Sequence, residues 1–294
     1  MSFISYLING ISLGSVYAII ALGYTMVYGI AKMLNFAHGD VIMVGGFAVF
    51  FAVSMQGLPT FAGMLLAVIL CTVLGIAIEY IAYRPLRQAA SSLAVLITAI
   101  GVSYFLQNIA LLIFGANTKA FTSVVTIPAL KLADEQIIIS GETIVTIISC
   151  IIIMTTLTLF INKTKAGQAM LAVSEDKGAA QLMGINVNRT ISLTFAIGSA
   201  LAAIAGMLLC SAYPSLTPYT GSMPGIKAFV AAVFGGIGSI PGALIGGIVL
   251  GVIEILSKAY ISSQLSDAIV FLVLIVVLLV KPTGILGKKI QEKV

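Results

Sequence analysis

Long apolar runs separated by short polar punctuation dominate the chain. Residues 11–31, 61–83, 94–114, 143–161, 191–212 and 268–280 are almost wholly apolar, and most approach the ~20 residues that carry a helix across hydrocarbon. Runs of that length exclude a β-barrel, whose strands alternate over about 10 residues. Two further apolar stretches are interrupted. In the first, the turn-prone Asn35-Phe36-Ala37-His38-Gly39-Asp40 leads straight into apolar residues 41–55, predicting a helix that begins near Val41. In the second, residues 224–256 are broken at Gly235-Gly236-Ile237-Gly238-Ser239-Ile240-Pro241-Gly242, where glycine and proline forbid one uninterrupted helix and two unequal helices are predicted instead. The pattern describes an all-α polytopic membrane protein forming a single transmembrane domain over residues 1–294. It has about eight to nine membrane segments, two of them broken or re-entrant.

Irregular backbone at membrane depth is tolerated only where protein or a water-filled cavity satisfies its polar groups. Both breaks are therefore candidate linings of a pathway: Asn35, His38 and Asp40 at the first, Gly236, Gly238, Pro241 and Gly242 at the second. The two halves of the chain do not align convincingly as a repeat. Glycines four apart, Gly10 with Gly14, Gly238 with Gly242 and Gly246, and Gly247 with Gly251, make small helix faces that permit close packing in lipid. A part in gating is the alternative for them.

Composition agrees with the pattern: 60% of residues are hydrophobic and 9% charged, with a mean hydropathy of +1.16, against about 25% charged in soluble domains. The N-terminus has neither a basic region nor a small-residue cleavage site, so its first span is expected to remain in place. The net charge of +5 sits at span boundaries, where orientation explains it better than nucleic acid does. Arg84 and Arg87, then Lys163, Lys165, Lys177 and Arg189, then Lys281, Lys288, Lys289 and Lys293 mark three segments expected in the cytoplasm, the C-terminus among them. The loop 115–141 sets Lys119 and Lys131 against Asp134, Glu135 and the adjoining Glu142, and is expected outside.

Residues 162–190 are the polar exception, a predicted cytoplasmic coupling loop. Gly178-Ala179-Ala180 followed after three residues by Gly184 reproduces the spacing of the coupling loop of ABC importer permeases, with Gly178 where glutamate is usual. Small residues at one-turn spacing give a helix a narrow face for a partner's groove, and the flanking Glu175, Asp176 and Asn186 fix its orientation. An ordinary solvated amphipathic loop is the alternative.

Catalytic equipment is sparse. His38 is the single histidine, which makes His-based metal clusters and a Ser/His/Asp triad improbable choices. Gly287-Lys288-Lys289 has Pro282 where a phosphate-binding loop needs its upstream glycine. The chain is thus expected to be a transport subunit and no enzyme, without a metal or cofactor of its own. Cys71, Cys150 and Cys210 fall inside apolar runs as small hydrophobes.

Five ordered motifs carry a wider resemblance: Asn9-Gly10-Ile11-Ser12-Leu13-Gly14-Ser15-Val16-Tyr17-Ala18; Leu34-Asn35-Phe36-Ala37-His38-Gly39-Asp40; Tyr83-Arg84-Pro85-Leu86-Arg87; Ala172-Val173-Ser174-Glu175-Asp176 with Met183-Gly184-Ile185-Asn186; and Gly235 to Ala243. Over nearly its whole length the chain resembles the permeases of branched-chain amino acid ABC importers, of the H type in the Liv system. That resemblance implies a bacterial inner-membrane permease. It also implies a second permease subunit, two cytoplasmic ATPases holding ATP and Mg, and a periplasmic substrate-binding protein. Urea and short-chain amides are substrates of related permeases.

Ionisable residues in the spans leave a rival open, because intramembrane charges are functional by default. Glu254, on a glycine-faced helix, is also a candidate for the translocation pathway, and an ion- or proton-coupled secondary transporter would use His38, Asp40, Glu79 and Glu254 as a relay. The structural alternatives are an interfacial Glu79 pairing with Arg84, Lys227 snorkelling to the outer surface, Glu254 in an interhelical hydrogen bond, and Asp40 capping the helix that follows it. A membrane-embedded enzyme would need a nucleophile or metal cluster, and the sequence offers none.

Overall fold

The computed structural model describes residues 3–88, 92–132 and 137–287. Asp134, Glu135, Lys288, Lys289 and Lys293, used above for orientation, lie outside these residues. Eleven α-helices run in order through the described residues. They are α1 (Phe3–Ala31), α2 (His38–Val49), α3 (Thr60–Ile78), α4 (Ser92–Phe114), α5 (Gly141–Lys163), α6 (Lys165–Glu175), α7 (Lys177–Leu182), α8 (Val187–Ala212), α9 (Ser222–Gly235), α10 (Ile240–Tyr260) and α11 (Ser266–Val280). Among the described residues, seven helical segments are long and apolar enough to cross a membrane, and α9 and α11 are shorter apolar helices. α2 continues as a π-helical turn, Phe50–Met55, and α3 ends in another, Glu79–Tyr83.

Burial divides the bundle into core and periphery. In α8 78% of the most apolar window is buried, against 22% in α4 and in α5, so α1, α2 and α8 form the centre while α3, α4 and α5 turn apolar faces outward. In lipid an outward apolar face costs nothing, and close packing must supply the cohesion. The crossing of α1 and α10 shows how: a Cβ added to Gly251 would stand 2.2 Å from the amide nitrogen of Gly14. Backbone thus meets backbone there. Antiparallel neighbours follow in step, with Gly10 against Val252 and Gly29 against Gly238.

These pairings define two ends of the molecule. At one end lie Ala31, whose carbonyl accepts from Lys177 Nζ at 2.8 Å, and Arg87, which donates to Asn188 Oδ1 at 2.7 Å. The segment after α11 joins them, as Ile285 and Leu286 amides donate to the carbonyls of Phe234 and Gly235, both at 2.9 Å. At the opposite end, Lys119–Ala120 pairs antiparallel with Ser215–Leu216, and Leu130–Leu132 with Ile137–Ile139.

Several local expectations need correction. The helix after the first break begins at His38, not near Val41, and Ala37 at its N-cap makes no side-chain cap bond. Asp40 is therefore a first-turn residue, not a cap. Glu79 is fully buried and pairs with Arg87, not Arg84; the π-helical turn places Arg84 over the Tyr80 ring, 5.1 Å from its centroid. Lys227 does not snorkel. It is buried between Glu254 and Asp267, at 2.8 and 2.7 Å.

Candidate functional site

The stretch predicted as one coupling helix over Glu175–Asn186 is a corner between two short helices. Thr164 opens α6 by accepting from the Gly167 amide at 3.0 Å, and Glu175 closes that helix. Asp176 opens α7, its carboxylate accepting from the amides of Gly178 and Ala179 at 2.8 and 3.0 Å. Such a cap satisfies donors that a helix start leaves orphaned. Gly184 ends α7 with φ +83°. The Ile185 amide then reaches back to the Ala180 carbonyl at 3.0 Å, the six-to-one bond of a glycine-terminated helix. Asn186 caps α8 by accepting from the Arg189 amide at 3.0 Å. Asp176, Gly184 and Asn186 thus shape the corner.

What the corner presents differs from the small-residue face expected. Gly178 and Ala179 are exposed, but Ala180 is buried at 4% and packs inward. At the tip stand Leu182 and Met183, 90% and 81% exposed. Isolated exposed apolar residues are ordinary. Two adjacent ones on a capped corner, flanked by Lys177 and Arg189, make a compact contact surface. Burial, with Arg87 and Lys32 nearby, lowers the Lys177 pKa, and its ammonium holds the last carbonyl of α1.

That carbonyl leads directly into the first break. Lys32 adopts φ 57°, and the chain then climbs back along the bundle to start α2 against Gly23, whose added Cβ would lie 2.4 Å from His38 Nε2. Asn35 is buried at 3% and accepts through Oδ1 from the Tyr83 hydroxyl at 3.0 Å. The second break lies beside it. Gly29 faces Gly238, and Asn35 and Ile237 line one narrow crevice with Tyr24, Tyr28 and Phe229. Gly236 and Gly238 have φ of +105° and +93°, conformations that a Cβ disfavours. Ser239 caps α10 through the Gly242 amide at 3.2 Å, with Pro241 in the first turn.

Deeper in the bundle, α2 and α9 start face to face. A Cβ on Gly221 would stand 1.8 Å from the Gly39 carbonyl oxygen. Beside this contact Gln107 donates to Asp40 Oδ1 at 2.8 Å and approaches Ser222 Oγ at 3.4 Å, tying α4 to both helix starts. His38 is buried at 1%, edge-on to Tyr24 with centroids 4.7 Å apart, and its Nε2 has no hydrogen-bond partner among the described residues. Glu254 belongs elsewhere. It accepts from Tyr17 at 2.8 Å, Lys227 at 2.8 Å and Lys258 at 2.6 Å, a cluster joining α1, α9 and α10.

The sequence reading missed Gln107, Tyr17, Leu182 and Met183. A lone amide inside an otherwise apolar span was the available signal for Gln107. For Tyr17, whose ring suits any span, the signal was its place in the motif from Asn9 to Ala18.

The family profile described as branched-chain amino acid transport system / permease component matches residues 6–278. The chain is 47% identical to the high-affinity branched-chain amino acid transport system permease protein LivH of Salmonella typhimurium, covering 99% of this chain and 98% of that protein. Identity is 46% with LivH of Escherichia coli K12, with the same coverage. It is 44% with BraD of Pseudomonas aeruginosa, again over 99% and 98%.

Proposed function

Because the chain belongs to the branched-chain amino acid transport system permease family, we propose that it is the membrane-spanning subunit of an ATP-driven importer of branched-chain or related hydrophobic amino acids. It works with a second permease subunit, two ATPases that hold ATP and Mg, and a periplasmic binding protein. Its place is the bacterial inner membrane, with the α6–α7 corner and the segment after α11 in the cytoplasm, where the basic residues favour them. Substrate passes by alternating access.

The observation that carries this reading is the α6–α7 corner, with Leu182 and Met183 exposed at its tip and Lys177 fastened to Ala31. A motor subunit seated on the tip moves a rigid, doubly capped lever. Its displacement reaches α1 through the Ala31 carbonyl, and the end of α1 abuts both breaks. The ion-coupled alternative is weakened by two of its four relay members, since Glu79 and Glu254 are engaged in ion pairs.

The test replaces Leu182 and Met183 together by glutamate. Neither side chain is packed, so the protein should insert and fold normally while co-purification of the ATPases and ATP-dependent uptake of leucine are lost. Retained co-purification overturns the docking assignment. Leucine uptake driven by an ion gradient after removal of the ATPases overturns the proposed energy source.

A further inference from the structure

A cavity of about 750 Å³ opens at the end of the molecule opposite the α6–α7 corner, between the start of α1, the start of α5 and the ends of α8 and α10. Its volume lies within the roughly 300–1,000 Å³ of small-molecule sites. Its lining carries both signs of charge, Glu142 on α5 and Lys258 on α10. Leu13, Val16, Ala212 and Ile255 supply apolar wall.

Both charged groups retain bonding capacity. Lys258 Nζ donates to Glu254 at 2.6 Å with its side chain 38% exposed, and an ammonium has three donors. Glu142 accepts from Ser123 at 3.3 Å, whereas a carboxylate offers about four lone-pair sites. A ligand complementary to this lining has a cationic end, an anionic end and an apolar body of modest size. Urea has neither charge nor apolar body. A hydrocarbon chain leaves both charges unmatched.

We propose that this cavity is an outer site for a free zwitterionic α-amino acid, the carboxylate toward Lys258, the ammonium toward Glu142 and the aliphatic side chain on Leu13 and Ile255. That it faces the outside rests on the orientation given under the proposed function. The site receives substrate before the two breaks part, and discriminates by charge pattern independently of any binding protein.

The test places a cysteine in the lining, Asn9→Cys, in the full-length chain. Cys71, Cys150 and Cys210 are buried, so a membrane-impermeant maleimide applied from outside reports position 9. Leucine at roughly tenfold above its dissociation constant should slow labelling about tenfold, and urea should leave it unchanged. Adding Glu142→Gln or Lys258→Gln should abolish protection while labelling persists. Glu142→Gln leaves the Glu254 cluster intact and keeps the test valid should the Lys258 variant misfold. Labelling that leucine does not slow, or no labelling from outside, overturns the site. ATP-driven uptake is measured in parallel: uptake without protection removes the site and keeps the transport reading, whereas protection without uptake does the reverse.

Discussion

Lys177 Nζ donates to the Ala31 carbonyl at 2.8 Å across 146 residues of sequence. Ala31 is the last residue of α1, so a group that water would otherwise satisfy is claimed by the corner that projects Leu182 and Met183. Motion of the corner and of α1 is therefore linked through this hydrogen bond as well as through the packing of α6 on α1.

Replacing Lys177 by methionine removes that link while keeping the aliphatic stem. A hydrogen bond from a charged group contributes about 1.5–3 kcal/mol; the low end applies because Lys177 is exposed, so ATP-dependent uptake should fall roughly tenfold while ATPase co-purification stays normal. Vesicle uptake of radiolabelled leucine measures it; an unchanged rate would remove the link from the mechanism. A pH effect accompanies it. Burial lowers the Lys177 pKa below its ordinary 10.5, so the folded state carries a penalty for the charged form that is relieved as pH rises from the depressed value toward 10.5. Wild type should gain stability relative to Lys177→Met across that alkaline window, as melting curves at successive pH values would show.

Glu79 and Arg87 are expected to behave as a buried pair. Glu79 is fully buried, and it also accepts from the Ser192 hydroxyl. Glu79→Gln leaves Arg87 uncompensated and should lower stability by about 3 kcal/mol. The double change Glu79→Gln with Arg87→Met should recover much of the loss. Thermal melting of the purified variants distinguishes this from an interfacial Glu79, for which the single variant would melt like wild type.

Glu254 gathers two lysines and a tyrosine, so its removal takes the acceptor from Lys258 and Tyr17, while Asp267 still serves Lys227. Glu254→Gln should destabilise by about 3 kcal/mol and Lys227→Met by less, because Lys258 still serves the carboxylate. Were Glu254 instead a proton carrier, the glutamine variant would keep its melting temperature and lose only transport.

Two glycines give opposite signs. Gly101 sits on α4 with no atom of the described residues within 4 Å of an added Cβ, so Gly101→Ala should leave stability unchanged or raise it by up to about 1 kcal/mol. At Gly251 the same methyl would meet the Gly14 backbone at 2.2 Å, and Gly251→Ala should sharply reduce the yield of folded protein. Equal yields would mean that the α1–α10 crossing relaxes more readily than its geometry implies.

The spans and both breaks were legible because they rest on local chemistry: apolar runs set length, and Gly235 to Gly242 cannot remain one helix. Partner choice was not legible. Whether Glu79 meets Arg84 or Arg87 depends on a π-helical turn that shifts the register by a fraction of a turn, and no composition signal marks it. Lys227 read as a surface residue because its neighbours Pro224 and Gly225 suggest a boundary, whereas its two carboxylate partners come from α10 and from Asp267, 40 residues along. The corner was read as one helix from the spacing of Gly178, Ala179, Ala180 and Gly184; the cap formed by Asp176 divides it. His38 and Asp40 were singled out together, and the structure separates their surroundings, an aromatic edge for one and an amide for the other.

The amides of Ile285 and Leu286 cover the final carbonyls of α9. During synthesis those carbonyls have no lasting partner until the residues after α11 leave the ribosome, by which time every other helix has been made. The C-terminal cap of α9 is thus completed only at the end of translation, and a chain stopped at 284 would leave these two carbonyls without their protein donors.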